Sequence, residues 1–294
     1  MTQSGPNRDA ERTAGGRTPA AAGGSPDNST PPGLRGAFVL LAFMAFGDPA
    51  LAADAFSTDW AMSPKSQARL IAADGRLGGF EIKLAPGAIT YWRDPGDSGV
   101  PPTFDFSGSI NVAKVEPILP APKRLKESDG GVAFGYERGV VIPLRIEPAD
   151  PSKPVTLAMH VNYAVCEKIC LPAAARLRLT MPQVGGSPYA GAVEAALSAA
   201  PTPIAPADFG DLAVDGGDGW LFCPKHDGEK ARDLFVESPP GWWVAAAPEP
   251  DERCFRLLLR EKPKDGSFPV SLRLTLTGGA HSVEATLAAP APEE

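Results

Sequence analysis

Beyond Trp60 the chain alternates between apolar and polar residues with a period of two. In Gly78-Gly79-Phe80-Glu81-Ile82-Lys83-Leu84 apolar and charged residues take turns, as in a strand with one buried face, and Pro86-Gly87 then predicts a turn. Similar runs follow at 88–92, 103–106, 110–115, 140–146, 155–163 and 175–180, the last with apolar residues on one face and arginines on the other. Glycine, proline, aspartate and serine separate them, and Asp94-Pro95-Gly96-Asp97 predicts a tight turn. Short strands with turn signals between them predict an all-β fold, an immunoglobulin-like antiparallel β-sandwich over 53–185.

The period changes at 189–200, where Ala, Val, Glu and Leu run without breakers between Ser187-Pro188 and Pro201, predicting one short helix. Pro201-Thr202-Pro203-Ile204-Ala205-Pro206 predicts a semi-rigid spacer, so that 186–206 joins two domains. Alternation resumes at 219–223, 233–237, 242–244, 254–259, 270–276 and 282–287, predicting a second, smaller β-domain over 207–294 with a frayed end.

Arg35 precedes an apolar run at 37–46, too short to span a bilayer, which leads to the small-x-small site Ala50-Leu51-Ala52. The segment 34–52 is therefore expected to be a signal peptide cleaved before Ala53, sending the chain to the periplasm. Residues 1–33 have the composition of a disordered extension; a long signal n-region or a start codon assigned too far upstream would explain them. No later run approaches the length of a membrane helix, so no stable membrane insertion is expected. The net charge of −7 and the lack of basic runs interleaved with aromatics argue against a nucleic-acid partner.

Four cysteines in an exported chain allow two disulfides, most simply Cys166 with Cys170 and Cys223 with Cys254. Closing the short first loop would contribute roughly 2 kcal/mol of unfolded-state entropy, against roughly 3.7 kcal/mol for the longer second one. Cys223–Cys254 thus reads as a structural disulfide, whereas Cys166–Cys170 is a poor staple and a better switch. Spacing and export leave three readings of the first pair: redox-active dithiol, structural bond or metal site.

Two rival chemistries can be weighed from the residues. Gly96-Asp97-Ser98-Gly99-Val100-Pro101 mimics the nucleophile motif of trypsin-like proteases, but His160, His226 and His281 all follow the serine, where that chain order needs a histidine before it. Met159, His160, Cys166 and Cys170 are soft ligands for Cu(I), but strand alternation puts Met159 and His160 on opposite faces. No metal site and no organic cofactor motif is assigned. Trp60, Trp92, Trp220, Trp242 and Trp243 are expected to be packing anchors, with at least one of the adjacent pair exposed or at the domain interface.

Tyr163 through Pro172, with Cys-Leu-Pro at 170–172, preceded by Val140-Val141-Ile142-Pro143-Leu144-Arg145-Ile146 and Leu119-Pro120, resembles the N-terminal periplasmic domain of the thiol:disulfide interchange protein DsbD, in its copper-sensitivity-suppressor-like branch. The resemblance implies a dithiol that relays electrons between a membrane-embedded, thioredoxin-linked reductase and periplasmic disulfide-bearing proteins. It makes Cys170 the sulfur that forms mixed disulfides and Cys166 the one that resolves them. A partner would supply the membrane and thioredoxin-like parts. A cap loop is implied within 125–136, with Glu127, Phe134, Tyr136 and Tyr163 as candidate cap or neighbouring residues of the pair; Ser128-Asp129-Gly130-Gly131 stand where an aromatic cap is expected, which makes Phe134 the nearest candidate for the cap. The competing class is a non-enzymatic periplasmic binding or Cu(I)-handling sandwich with structural disulfides.

Overall fold

The computed structural model describes residues 54–292 except 97, 128–129, 184–185, 218, 226–232, 250–252 and 280. The expected signal peptide and N-terminal extension, His226 and the last two residues lie outside the described residues.

Eleven strands come first: β1 (Ala61–Ser63), β2 (Ser66–Ala72), β3 (Leu77–Leu84), β4 (Ile89–Gly96), β5 (Thr103–Asp105), β6 (Val112–Pro117), β7 (Lys123–Lys126), β8 (Val132–Glu137), β9 (Gly139–Pro148), β10 (Thr156–Cys166) and β11 (Cys170–Thr180). They form two antiparallel sheets, ordered β1-β2-β3-β9-β6 and β11-β10-β4-β8-β7, with β5 also on β10. The expected immunoglobulin-like sandwich is the observed architecture. Alternation decides its core: Leu157, Met159, Val161 and Tyr163 of β10 and Ala175, Leu177 and Leu179 of β11 point inward against Leu70, Phe80, Ile82 and Leu144 of the facing sheet. Full burial of each large apolar side chain contributes about 1.5–3 kcal/mol. Gly87, at φ +80, completes the turn from β3 to β4 behind Pro86, with the Ala88 N–H donating to the Ala85 carbonyl at 3.0 Å.

Helix α1 (Ala190–Ser198) covers the outer face of the first sheet, where fully buried Val193 packs with Ile71 and Ala73. Next come β12 (Thr202–Pro203), the single-turn helix α2 (Pro206–Phe209), β13 (Gly210–Val214), β14 (Gly219–Pro224), β15 (Asp233–Glu237), β16 (Trp243–Pro248), β17 (Phe255–Glu261), β18 (Val270–Thr277) and β19 (Val283–Ala289). Sheets β12-β19-β18-β15 and β13-β14-β17-β16 enclose a second core around Trp220, Phe222, Leu257, Leu272 and Leu274.

Three expectations need correction. The segment 201–206 is no free spacer: Thr202 donates to the Ser282 carbonyl at 2.9 Å and Ile204 to that of Glu284 at 3.0 Å, so β12 runs parallel to β19 as an edge strand. Of the tight turn expected at 94–97, Asp97 lies outside the described residues and 94–96 are instead the irregular end of β4, whose pairing with β8 slips between Tyr91 and Gly96, although the Asp94 carboxylate does accept from the Gly96 N–H at 3.0 Å. Trp60 is no core anchor: it is half-buried outside the core clusters, its ring under the Arg69 and Lys83 cations at 4.3 and 4.6 Å. Trp92 and Trp220 are fully buried, and of the adjacent pair Trp243 is exposed.

β15 joins the two cores. Leu234 and Val236 face the second, while Phe235 turns the other way into the first. Beside it Arg93 of β4 reaches Glu237 at 2.7 Å and buried Glu284 at 2.6 Å, and Arg273 also pairs with Glu284. Burial alone would lower the Arg93 ionisation, but hydrogen bonds and charge from Glu237 and Glu284 outweigh it and raise it above its ordinary value. A cavity of about 440 Å³ between the sandwiches is lined by Arg124, Phe134, Trp242 and Trp243. Among the described residues no helix is long and apolar enough to cross a membrane.

Candidate functional site

β10 and β11 pair without a break from Thr156↔Thr180 to Cys166↔Cys170, and Glu167, Lys168 and Ile169 close the hairpin. The two cysteines are therefore directly opposite partners, with Cα atoms 4.1 Å apart, and their sulfurs are bonded. Strand parity puts them on the outer face of their sheet. Val161, Tyr163 and Val165 point into the sandwich, whereas Ala164 and Cys166 join Tyr91 of β4 and Ala133 of β8 in a small outer cluster.

The two sulfurs are not equivalent. Cys166 is 4% exposed, while Cys170 is exposed beside Ile169, itself 69% exposed at the hairpin tip. Tyr91, 1% exposed, sets its hydroxyl 2.6 Å from the Cys166 sulfur and 3.3 Å from that of Cys170, and donates to the Glu127 carboxylate at 2.7 Å. Glu127 follows β7, where its N–H donates to the Gly131 carbonyl at 2.9 Å. The other Glu127 oxygen accepts from the Ser98 hydroxyl. Lys65 meets Glu167 of the hairpin loop at 3.0 Å.

This arrangement suits proton-coupled opening of a disulfide. Once reduced, a thiolate on either sulfur would feel opposed influences: the Glu127 charge disfavours it and the Tyr91 hydroxyl stabilises it. Glu127 and the two sulfurs lie within 4.8 Å of one another, but while the sulfurs are bonded the cluster offers an ion only a carboxylate. The four-residue copper set is not assembled. Met159 lies in the core, while His160 is on the outer face of β10 opposite Asp105 and Arg176.

Of the expected neighbours only Glu127 reaches the disulfide. The expected cap loop is a hairpin of β7 and β8, and Ser128 and Asp129 lie outside the described residues. Phe134 faces away, edge-on to Phe235 at 4.8 Å. Tyr136 donates to the Pro120 carbonyl at 2.7 Å and Tyr163 meets the Ser66 hydroxyl at 3.0 Å, both within the core. Parity is the reason: Tyr163 is an odd number of residues from Cys166, as is Tyr136 from Ala133, so each points to the opposite face. Tyr91 was missed, since nothing in the sequence links it to cysteines 75 and 79 positions away. Cys223 and Cys254 are also bonded, across the ends of β14 and β17.

Residues 60–182 match the family described as thiol:disulfide interchange protein DsbD, N-terminal. No curated protein matches the chain in sequence. Among solved structures it is similar to the N-terminal periplasmic domain of ScsB from Proteus mirabilis, with 17% identity over 81% of this chain and 100% of that one and a TM-score of 0.63. That coverage exceeds what 60–182 supplies, so the shared fold extends beyond the first sandwich. A tandem of titin Ig domains and a marsupial T cell receptor, each 10% identical, cover 78% and 79% of this chain and 98% and 100% of theirs with TM-scores of only 0.17 and 0.18. The family match and the Cys166–Cys170 bond together support a thiol–disulfide exchange module. Residues 60–182, with this disulfide at the outer face of one sheet, form a domain of the DsbD N-terminal family.

Proposed function

We propose that the chain works in the periplasm, relaying electrons between a membrane-embedded thiol reductase and oxidised periplasmic proteins through Cys166 and Cys170. The observation that carries this reading is the unequal exposure of two bonded sulfurs, one buried under Tyr91 and one open to solvent. The apolar run at 37–46 followed by Ala50-Leu51-Ala52, and the periplasmic origin of the similar ScsB domain, support the compartment.

In the reduced protein the Cys170 thiolate attacks one sulfur of a partner disulfide and expels the other as a thiolate. The resulting mixed disulfide is attacked by Cys166, which re-forms the Cys166–Cys170 bond and releases the partner's second sulfur. Two electrons and two protons leave this module and reduce the partner. A dithiol on the membrane reductase restores the module by the same exchange in reverse. Tyr91, in contact with Cys166, holds a proton where that sulfur gains or loses charge.

Separate replacements test the roles. Cys166→Ala should accumulate a mixed disulfide through Cys170, and Cys170→Ala should not, as read on non-reducing gels. Trapping by Cys170→Ala alone would reverse the roles, and a wild-type bond still closed below about −300 mV would make it structural.

A further inference from the structure

The sequence contains one motif that this chemistry does not use, the protease-like Gly-Asp-Ser-Gly, and the structure brings its Ser98 and Gly99 to the residues around the disulfide. Gly99, at φ +100, packs closely against the Tyr91 ring: a Cβ there would sit 2.2 Å from a ring carbon. Its neighbour Ser98 donates to one oxygen of Glu127, whose other oxygen accepts from Tyr91 at 2.7 Å. Tyr91 in turn touches both sulfurs. The chain of contacts runs Ser98, Glu127, Tyr91, Cys166, through three segments distant in sequence.

We propose that Ser98 is a positioning residue of the exchange site: its hydroxyl holds the Glu127 carboxylate against Tyr91 and the sulfurs. The inference rests on the exchange function proposed above. Glu127 stands where edge strand β7 enters its hairpin turn and is only partly buried, so without this anchor the Tyr91 bond alone holds its carboxylate back from solvent. Two consequences act in the same direction. The negative charge that opposes a thiolate moves away, and the Tyr91 hydroxyl is released to donate to sulfur. Among the described residues the hairpin loop brings two further charges beside the pair, Glu167, paired with Lys65 at 3.0 Å, and exposed Lys168, and Ser98 bonds to neither.

The test uses the reduced full chain, with iodoacetamide as probe and mass spectrometry to follow the Cys170 peptide from pH 6 to 10. Ser98→Ala should shift the alkylation profile to lower pH by about half to one unit, a roughly three- to tenfold faster reaction at neutral pH. Ser98→Thr, which keeps the hydroxyl, should restore the wild-type profile. In a Glu127→Gln background Ser98→Ala should add nothing. An unshifted Ser98→Ala, or a shift of equal size in both backgrounds, overturns the inference. Should Ser98→Ala fail to fold, Ser98→Gly also lacks the hydroxyl and carries the same test. Failure of the exchange function itself would show separately, as a wild-type disulfide that resists reduction.

Discussion

The Phe235 ring of the second sandwich meets the Phe134 ring of the first edge to face at 4.8 Å, and the Trp92 ring lies 6.0 Å from it, also edge-on. Phe134 belongs to β8 and Trp92 to β4, the two strands that deliver Ala133 and Tyr91 to the disulfide from their opposite faces. Arg124 of β7 adds paired bonds to Asp233, the shorter at 2.8 Å, so the second sandwich grips the back of the hairpin that carries Glu127. Phe235→Ala should cost about 3–5 kcal/mol in urea unfolding and raise amide exchange across β7 and β8. Unchanged protection there would mean that the hairpin holds its place unaided.

Tyr91→Phe keeps the ring under Gly99 and removes the hydroxyl between Cys166 and Glu127. A hydrogen bond to a charged group is worth about 1.5–3 kcal/mol, so disulfide exchange should slow roughly ten- to hundredfold with the fold intact. Stopped-flow exchange against a small-molecule disulfide measures it, and a wild-type rate would remove Tyr91 from the chemistry.

Replacing Cys223 and Cys254 together should lower stability by about 2–5 kcal/mol and leave the exchange rate of the first disulfide unchanged. Chemical unfolding and exchange kinetics on the same sample distinguish a staple from a second redox centre.

Tyr136 supplies a pH prediction. Burial pushes its ionisation well above the ordinary tyrosine value, with the Arg93 charge pulling the other way. The unfolded phenol loses its proton first, near pH 10, so this stabilisation is complete below that pH and is lost as pH rises toward the folded value. Tyr136→Phe should cost about 1 kcal/mol at pH 8 through the lost bond to Pro120, yet lose less further stability than wild type by pH 11. Parallel urea midpoints for the two proteins would refute the assignment.

Much of the fold was legible because β10 and β11 alternate cleanly, Leu157-Met159-Val161 inward and Arg176-Arg178 outward. β2 was not, since Ser66-Gln67-Ala68-Arg69 buries small and polar residues that carry no strand signal. β7 was hidden for the opposite reason: Lys123-Arg124-Leu125-Lys126 buries one residue on an edge strand and reads as loop. At the site, adjacency revealed the cysteine pair, and Glu127 came from the family resemblance. Tyr91 joins it only through the pairing of β4 with β10, and Ser98 only through its bond to Glu127, contacts between distant segments that no local pattern encodes.

The unbroken ladder behind Cys166 and Cys170 has a kinetic consequence. Reduction cuts the sulfur link but leaves the backbone pairs above it, so each thiol keeps its mate at a local concentration that no dissolved thiol can match. A mixed adduct with glutathione should therefore be expelled sooner than a second glutathione can arrive, and the small thiols of the surroundings should exchange with this protein without accumulating on it.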